Sequence, residues 1–324
     1  MGRRSNRESQ LPNGLYRYRR ALQMDAAIKI GISLPFTNWL MNSGRTCERA
    51  ETGGICYDAV PHREHSHHAN DGLDPHMSLQ WIPGRIVKKH VWSEGLFTLT
   101  LDCPGVQPLE CGQFLQLGLA LPEKHLHRPY SAASPHGREL EFFIVRVDGG
   151  ELTPRMASME LGETLDVSMK ATGSFTLQHS PPAQCLWLLA TGTGLAPYVA
   201  MLRDPKIWSM YAYIVVVHGV RHLTDFAYTE ELQSHAERHP GRLSVIPIAS
   251  RALAPHGVQG RITTAIESGA LEQLAGHTLS PENSAVMMCG NPQMLDDVEA
   301  LLHGRGMHKH KRNAPGHYVV ERYW

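Results

Sequence analysis

From residue 185 onward the chain repeats one pattern, a short and continuously apolar run followed by a stretch of helical composition. The apolar runs cover residues 186–190, 214–217, 243–248 and 285–288. Helices are predicted from about residue 197, at 225–239, near 262–274 and at 292–303. Strands that are apolar on both faces must be covered on both sides. Their alternation with helices therefore predicts a doubly wound parallel sheet.

The preceding part of the chain has a different pattern. Short runs rich in β-branched and aromatic residues lie at 96–101, 113–117, 140–147 and 164–169, separated by Gly and Pro. Such runs predict an antiparallel barrel or sandwich. Ser180-Pro181-Pro182 is typical of a linker. We therefore expect one domain over residues 77–180 and a second over 181–324.

Residues 1–76 show neither helical nor strand periodicity and end in a histidine cluster at His62, His65, His67 and His68. A metal site is one interpretation of this cluster. A flexible, solvated tail is the other, because nothing nearby would hold the imidazoles in a fixed geometry. We expect an appended leader without a metal, followed by Met77 at the start of the ordered part.

Composition excludes several classes of function. Lys plus Arg equals Asp plus Glu, at 31 each, so overall charge favours neither nucleic acid nor a membrane surface. The six cysteines include no CxxC pair, which excludes a plant-type iron–sulfur cluster and suits a reducing cytoplasm. The apolar run at 28–41 is interrupted by Lys29, Pro35 and Asn38 and is too short to span a bilayer.

Two glycine-containing motifs follow predicted strands of the second domain. Thr191-Gly192-Thr193-Gly194-Leu195-Ala196-Pro197 joins a strand to a helix, where backbone amides can approach a pyrophosphate. It lacks the third glycine of the Rossmann fingerprint, so a structural turn is an equal alternative. Cys289-Gly290-Asn291-Pro292-Gln293-Met294 follows the fourth strand and should face the same crevice. By itself, Cys289 fits a buried thiol better than a functional one.

Two further motifs lie in the first domain. Arg128-Pro129-Tyr130-Ser131 combines an aromatic ring to cover a flat ligand, a hydroxyl for its edge and a guanidinium for phosphate. Gly150-Glu151-Leu152-Thr153-Pro154 is predicted to form a turn whose amides could cap a phosphate. A simple hairpin connection is the stronger interpretation of the second motif taken alone.

The four motifs in this order resemble those of the ferredoxin/flavodoxin–NADP reductase family, in its bacterial branch, over residues 77–324. RPYS resembles the flavin motif and GELT the flavin-pyrophosphate turn, whereas GTGLAP and CGNPQM resemble the nicotinamide-nucleotide loops. The final Tyr323-Trp324 resembles the aromatic end that covers the flavin in this branch. The resemblance implies an antiparallel FAD-binding barrel followed by a doubly wound NADP-binding domain.

The resemblance also implies site residues. Non-covalent FAD would contact Arg128, Pro129, Tyr130, Ser131, Ile144, Val145, Leu152, Thr153, Thr193, Tyr323 and Trp324. NADPH or NADP⁺ would contact Gly192, Gly194, Val220, Arg221, Ser250, Arg251, Arg261, Gly290, Asn291, Pro292, Gln293 and Met294. The residues expected at the reacting rings are Ser131, Cys289 and Trp324.

The activity implied is hydride transfer between NADPH and FAD coupled to one-electron exchange with ferredoxin or flavodoxin. The residues themselves also favour NADPH over NADH. An acidic residue after the second or third strand would favour the bare ribose of NADH, but Arg221, Arg251 and Arg261 stand there and suit the 2′-phosphate of NADPH. We expect a cytoplasmic monomer that binds an acidic carrier transiently. The basic clusters Arg85, Lys88, Lys89 and Lys309, Lys311, Arg312 are the candidate docking faces, although each run taken alone fits ordinary solvated charges better.

Two other functions remain open from the sequence. A free flavin reductase or the reductase component of an oxygenase would use the same motifs, although many such components carry a cysteine-ligated cluster. A non-enzymatic flavoprotein, such as a redox sensor, would need no intact nucleotide loop. Flavin content, nucleotide preference and carrier reduction separate these alternatives.

Overall fold

The computed structural model describes residues 79–322, all of which belong to one compact unit of the chain. The histidine cluster, the predicted leader, Tyr323 and Trp324 lie outside the described residues. The predicted boundary at residues 180–181 falls between the last strand of one sheet and the first strand of the other. None of the helices within 79–322 is both long and apolar enough to cross a membrane.

The first sheet is antiparallel and has six strands. They are β1 (Trp81–Ser93), β2 (Leu96–Asp102), β3 (Phe114–Ala120), β4 (His125–Ser131), β5 (Glu139–Val145) and β6 (Thr164–Ser168). Their order is β4-β3-β6-β1-β2-β5. A bridge between Ala132 and Phe142 joins the two ends of this order and closes the barrel. The predicted barrel is confirmed.

The barrel interior is filled by large apolar side chains from most of its strands. Leu99, Leu101, Leu117, Leu140 and Phe142 have no exposed surface. Side chains that alternate along a strand point to opposite faces, so each strand contributes every second residue to this core. The barrel is thereby a packed support, and its ligand-binding residues must lie on its outer surface or in its loops.

The second sheet is parallel throughout. Its strands are β7 (Cys185–Thr191), β8 (Tyr213–Val220), β9 (Leu243–Ala249), β10 (Val258–Gln259), β11 (Ser284–Gly290) and β12 (Tyr318–Arg322). The order is β10-β9-β8-β7-β11-β12. Leu186 and Leu188 pack into one buried cluster and Trp187 and Leu189 into another. Cover on both faces explains the continuous apolar runs and confirms the predicted doubly wound sheet.

The helices are α1 (Thr153–Ser158), α2 (Ala196–Arg203), α3 (Pro205–Met210), α4 (Thr229–Arg238), α5 (Ile262–Glu267), α6 (Ala270–Ala275) and α7 (Pro292–Gly304). The prediction of a single helix near 262–274 is wrong. Gly269 adopts a left-handed conformation with φ 74° and separates α5 from α6. Helices α1 and α3 and strands β10 and β12 were not predicted from the sequence.

Candidate functional site

The two second-domain motifs meet at the carboxyl edge of the parallel sheet. β7 and β11 are neighbours, and the loops that follow them both leave at this edge. The backbone amide of Asn291 donates to Thr191 Oγ1 at 2.8 Å. A Cβ on Gly194 would overlap the carbonyl oxygen of Cys289, and one on Gly290 would overlap Thr191 Oγ1. These glycines therefore serve close packing of one loop on the other.

Gly192 has a different role from Gly194. It adopts a left-handed conformation with φ 53°, and a Cβ there would meet nothing within 4 Å. The missing side chain leaves the backbone at Gly192 accessible from the crevice. Of the two glycines in this loop, Gly192 is the one suited to close approach of a ligand, and Thr193 beside it is half-buried.

His218 fixes the glycine loop from beneath and was missed by the sequence analysis. Its imidazole lies in the otherwise apolar strand β8, is 2% exposed, and contacts the Gly192 carbonyl oxygen at 3.1 Å through Nε2. A carbonyl oxygen can only accept, so Nε2 must carry the hydrogen. Burial lowers the pKa of His218 to about 4, so the ring is neutral at physiological pH. The sequence signal that could have identified His218 is its position directly after the continuous apolar run of β8.

The loops after β8 and β9 present exposed basic side chains at the same edge. The amide of Ser250 donates to the Val220 carbonyl at 3.0 Å, and that of Arg251 to the Arg221 carbonyl at 3.1 Å. These bonds hold the two loops side by side while both guanidinium groups stay exposed. Arg261, also exposed, precedes α5. Exposed guanidinium and hydroxyl groups on adjoining loops suit a phosphate monoester.

The loop after β11 begins helix α7. Asn291 Oδ1 accepts from the Met294 amide at 3.2 Å and caps the helix, with Pro292 at its start. Gln293 is exposed and donates to Asp297 at 2.8 Å, whereas Met294 is nearly buried. The loop is therefore held by its own cap, and Gln293 is an accessible side chain within it.

On the barrel, the Arg-Pro-Tyr-Ser segment ends strand β4. Arg128 and Pro129 are exposed, and Arg128 Nη1 donates to the neighbouring His127 carbonyl at 2.7 Å. Tyr130 is half-buried, and burial raises the pKa of its phenol to about 12. The phenol is thus neutral at physiological pH. The segment offers an aromatic ring and a cation on one accessible strand.

Ser131 connects this barrel segment to the parallel sheet. Its hydroxyl donates to Glu321 Oε2 at 3.1 Å. Glu321 lies on β12, directly opposite Cys289 in the ladder with β11. Burial raises the pKa of Glu321 to about 7, while the Ser131 hydrogen bond lowers it. Ser131 and Cys289, predicted from separate motifs, are thus both connected to Glu321, which was not predicted from the sequence: Ser131 by a side-chain hydrogen bond and Cys289 as its partner in the strand ladder.

The remaining barrel residues divide into supporting and accessible ones. Ile144 lies in the barrel core with no exposed surface, whereas Val145 is 39% exposed. The strand alternation thus leaves Ile144 almost nothing with which to contact a ligand. Thr153 Oγ1 accepts from the Val147 amide at 2.8 Å, and Leu152 precedes the first residue of α1. The predicted turn is therefore a helix start, where first-turn amides lack helical partners.

Cys289 has no exposed surface, and Trp324, its predicted companion at the reacting ring, lies outside the described residues. No group of three or more His, Cys, Asp or Glu within residues 79–322 is placed to hold a metal ion. The open Gly192 backbone, the exposed arginines and the aromatic barrel strand fit a dinucleotide and a flavin. The site is thus a crevice between a cation-bearing sheet edge and a barrel strand.

A family model described as oxidoreductase NAD-binding domain matches residues 188–300. A flavodoxin/ferredoxin–NADP reductase of Escherichia coli (strain K12) is 39% identical over 246 residues, covering 75% of this chain and 99% of that protein. A ferredoxin–NADP reductase of Azotobacter vinelandii is 34% identical over 249 residues, with 74% and 95% covered. The crystal structure of a ferredoxin NADP⁺ reductase from Neisseria gonorrhoeae with bound FAD and NADP is similar at a TM-score of 0.71 and 27% identity. It covers 75% of this chain and 98% of that one.

Proposed function

The chain belongs to the flavodoxin/ferredoxin–NADP reductase family, and on that premise we propose that it transfers hydride between NADPH and FAD and exchanges single electrons with ferredoxin or flavodoxin. The observation that carries this proposal is the Ser131–Glu321 contact. Through it, the barrel motif meets strand β12, in which Glu321 is the ladder partner of Cys289 in β11. FAD supplies the conversion between two-electron and one-electron chemistry, and the protein supplies placement and exclusion of competing reactions.

On this proposal, the accessible barrel residues hold FAD. Tyr130 covers one face of the flavin ring, and Ser131 bonds its edge. Arg128 and the first-turn amides of α1, beginning at Thr153, hold the pyrophosphate. The exposed Val145 packs on the ligand, and Ile144 supports it from the core. Leu152, Thr193 and the aromatic pair Tyr323 and Trp324 complete the proposed set.

The sheet edge holds the nicotinamide nucleotide on this proposal. The open backbone at Gly192 takes the pyrophosphate, and the loop of Gly290, Asn291, Pro292, Gln293 and Met294 positions the nicotinamide. The 2′-phosphate is bound by exposed groups on the loops after β8 and β9, which are Arg221, Ser250, Arg251 and Arg261. Cys289 and Glu321 stand behind the reacting rings, with the Glu321 carboxyl near its midpoint of protonation at neutral pH.

A spectral titration tests this function. Purified protein should be yellow from bound FAD and should bleach with NADPH at far lower concentration than with NADH. Colourless protein that takes up no FAD, or that prefers FMN, would contradict the flavin assignment. Bleaching at equal concentrations of the two nucleotides would remove the 2′-phosphate assignment and leave the flavin assignment intact.

We infer that the carrier docks at the second basic cluster and not at the first. Lys89 donates to the carbonyls of Ala157 and Met159 at 2.8 and 2.7 Å, and Lys88 pairs with Glu139 at 3.5 Å. The Lys89 ammonium group is therefore bound to the C-terminal end of α1 and is not available to a carrier. Reversing its charge would remove both contacts and test the fold instead of the docking.

The second cluster lines a groove of about 980 Å³ between the segment 173–179 and the final strand. Its wall includes the exposed cations Lys309, Lys311 and Arg312, of which Lys309 pairs with Glu299 at 3.5 Å, and the imidazoles of His179 and His310. Glu321, bonded to Ser131, lines the same groove. A carrier seated there would lie next to the proposed flavin position. The positive groove complements an acidic partner, which mainly raises the association rate.

Charge reversal tests the docking face. The Lys311→Glu/Arg312→Glu double variant should slow carrier reduction and weaken its dependence on ionic strength, because surface charges are screened beyond about 8 Å at physiological salt. Ferricyanide reduction at saturating NADPH should be unchanged. Lys88→Glu is the control and is compared with the single variant Lys311→Glu, because each changes the net charge by two. Equal slowing by both variants, or by neither, would show that the groove is not the docking face.

The same family membership leads us to propose a cytoplasmic monomer. Size-exclusion chromatography with light scattering would test the oligomeric state. A stable dimer would contradict the proposal without affecting the assigned chemistry.

A further inference from the structure

Helix α2 links the two halves of the site. It follows the glycine loop at its N-terminal end, and its last residue, Arg203, extends into the barrel. Arg203 Nη1 donates to the Ala133 carbonyl at 2.9 Å, and Nη2 donates to Glu141 Oε1 at 3.2 Å. On the sheet side, Nε and Nη2 donate to the two oxygens of Glu231 at 2.7 and 2.8 Å. One guanidinium thus joins both domains through four hydrogen bonds.

Tyr228 makes a second link a short distance away. Its backbone is left-handed, with φ 57°, a conformation that costs a non-glycine residue on the order of 1 kcal/mol. The buried ring lies 4.8 Å from Trp92 and 5.2 Å from Phe143, measured between ring centroids. Its hydroxyl donates to Glu141 Oε1 at 2.9 Å and lies 3.1 Å from Thr98 Oγ1. A strained backbone conformation of this kind persists only where surrounding contacts, here those of the Tyr228 ring and hydroxyl, hold the residue in place.

Both links converge on one atom, Glu141 Oε1, on barrel strand β5. The carbonyl of Glu141 accepts from the Ala133 amide at 2.7 Å. Ala133 is two residues beyond Ser131, so the network reaches the end of the flavin segment. A continuous path of short contacts therefore runs from the glycine loop through α2 and Arg203 to the strand that carries Tyr130 and Ser131.

We propose that Arg203 and Tyr228 are positioning residues that set the distance and angle between the nicotinamide loop and the flavin strand, with Glu141 as their shared anchor. This rests on the proposed function. Hydride transfer requires reacting atoms about 3–3.5 Å apart, and a misplacement of about 1 Å can cost roughly 100-fold in rate. A rigid, partly buried network between the domains supplies that constraint, whereas neither residue touches the reacting rings.

Four variants test the proposal. Arg203→Lys keeps the charge and loses the fork geometry, and Arg203→Met removes both. Tyr228→Phe keeps the ring packing and loses only the hydroxyl. Arg242→Met is the matched control, because Arg242 donates to the carbonyls of Trp208, Tyr211 and Ala212, all within the α/β half. It therefore destabilises without touching the bridge.

The measurements are made on FAD-loaded protein by stopped flow. In the three bridge variants the rate of hydride transfer at saturating NADPH should fall tenfold or more, with the NADPH Kd within threefold of wild type. The primary isotope effect with deuterated NADPH should rise as the transfer distance lengthens. Arg242→Met should lower the Tm and leave rate and isotope effect unchanged.

The outcomes separate the two proposals. Wild-type protein that fails to take up FAD or to be reduced by NADPH overturns the proposed function. Normal reduction by wild type, together with unchanged rate and isotope effect in Tyr228→Phe and Arg203→Lys, overturns the positioning role. A rate loss in Arg242→Met equal to that in the bridge variants also overturns it, because general destabilisation would then explain both. If Arg203→Met does not fold, the result for Tyr228→Phe decides whether the positioning role stands.

Discussion

The carboxyl edge of the parallel sheet and the open strand of the barrel carry motifs of similar length but hold them differently. At the sheet edge the loops are fixed to each other, by Gly194 against Cys289, Thr191 against Asn291 and His218 beneath Gly192. At the barrel, Arg128 and Pro129 are exposed, and the Arg128 guanidinium donates to the carbonyl of its neighbour His127. The loops of the sheet edge are thus held by contacts with each other, whereas Arg128 and Pro129 on the barrel strand stay exposed.

The largest effect expected from this contrast concerns His218. The pKa of its folded form is about 4, against 6.5 for the free side chain. Below pH 6.5 the unfolded chain binds a proton that the folded chain does not, so stability is lost as pH falls through this window. At about 1.4 kcal/mol for each pKa unit, the loss approaches about 3 kcal/mol.

His218→Asn tests this pH dependence, because the amide can still donate to Gly192 and does not titrate. Denaturant unfolding from pH 7.5 to 4 should show the two stability curves converging as pH falls. Curves that stay parallel would mean that the His218 ring is solvated when folded, and the sheet edge would then be less rigid than we describe.

The next effect concerns the two glycines of one loop. Gly194→Ala should destabilise the protein by about 2 kcal/mol, because its Cβ overlaps the Cys289 carbonyl and a packed backbone must shift. Gly192→Ala should cost about 1 kcal/mol, the strain of a left-handed alanine, since its Cβ meets open space. Thermal unfolding of both variants without ligand measures the difference. Equal losses of stability in the two variants would contradict the assignment of Gly194 to loop packing and of Gly192 to ligand approach.

On the barrel side, Arg128→Ala should leave the stability of the flavin-free protein nearly unchanged. FAD affinity should fall by about 2 kcal/mol, roughly thirtyfold, the worth of a charge-assisted hydrogen bond to phosphate. Equilibrium dialysis of FAD and unfolding of the apoprotein give the two numbers. Substantial loss of apoprotein stability would show that the barrel strand depends on Arg128 for its fold.

The smallest effect concerns a charge carried by the sheet edge. Arg251→Ala should weaken NADPH binding by about 1.5 kcal/mol, roughly tenfold, because on the proposed function its exposed guanidinium would pair with the 2′-phosphate in partial competition with water. NADH binding serves as the internal control and should not change. Equal weakening of both nucleotides would assign Arg251 to the loop structure.

Much of the architecture was predictable because it follows from short-range pattern. The apolar runs of β7, β8, β9 and β11 and their alternation with helices determined the parallel sheet. Features that depend on contacts distant in sequence were not predictable. Strand β12 pairs only after the loop at 305–317 has turned back on β11, and Glu321 acquires its environment only through that pairing.

The motif glycines show the same limit within one loop. From the sequence, Gly192 and Gly194 are equivalent approaches to a pyrophosphate. Their different roles depend on the position of Cys289, nearly one hundred residues away in the chain. Similarly, the sequence does not show that Lys89 of the first basic cluster bonds to the end of α1, whereas the second cluster lines a groove.

The place of β7 in the parallel sheet has a consequence for biosynthesis. Its hydrogen-bonded neighbours are β8, which is the next strand in the chain, and β11, which begins only at Ser284. During translation the backbone N–H and C=O groups along one edge of β7 stay unpaired until that late strand has left the ribosome. Pairing across such separations is slow, and an exposed strand edge invites association between nascent chains. We expect refolding yield to depend on protein concentration and to improve with a chaperone that shields this edge.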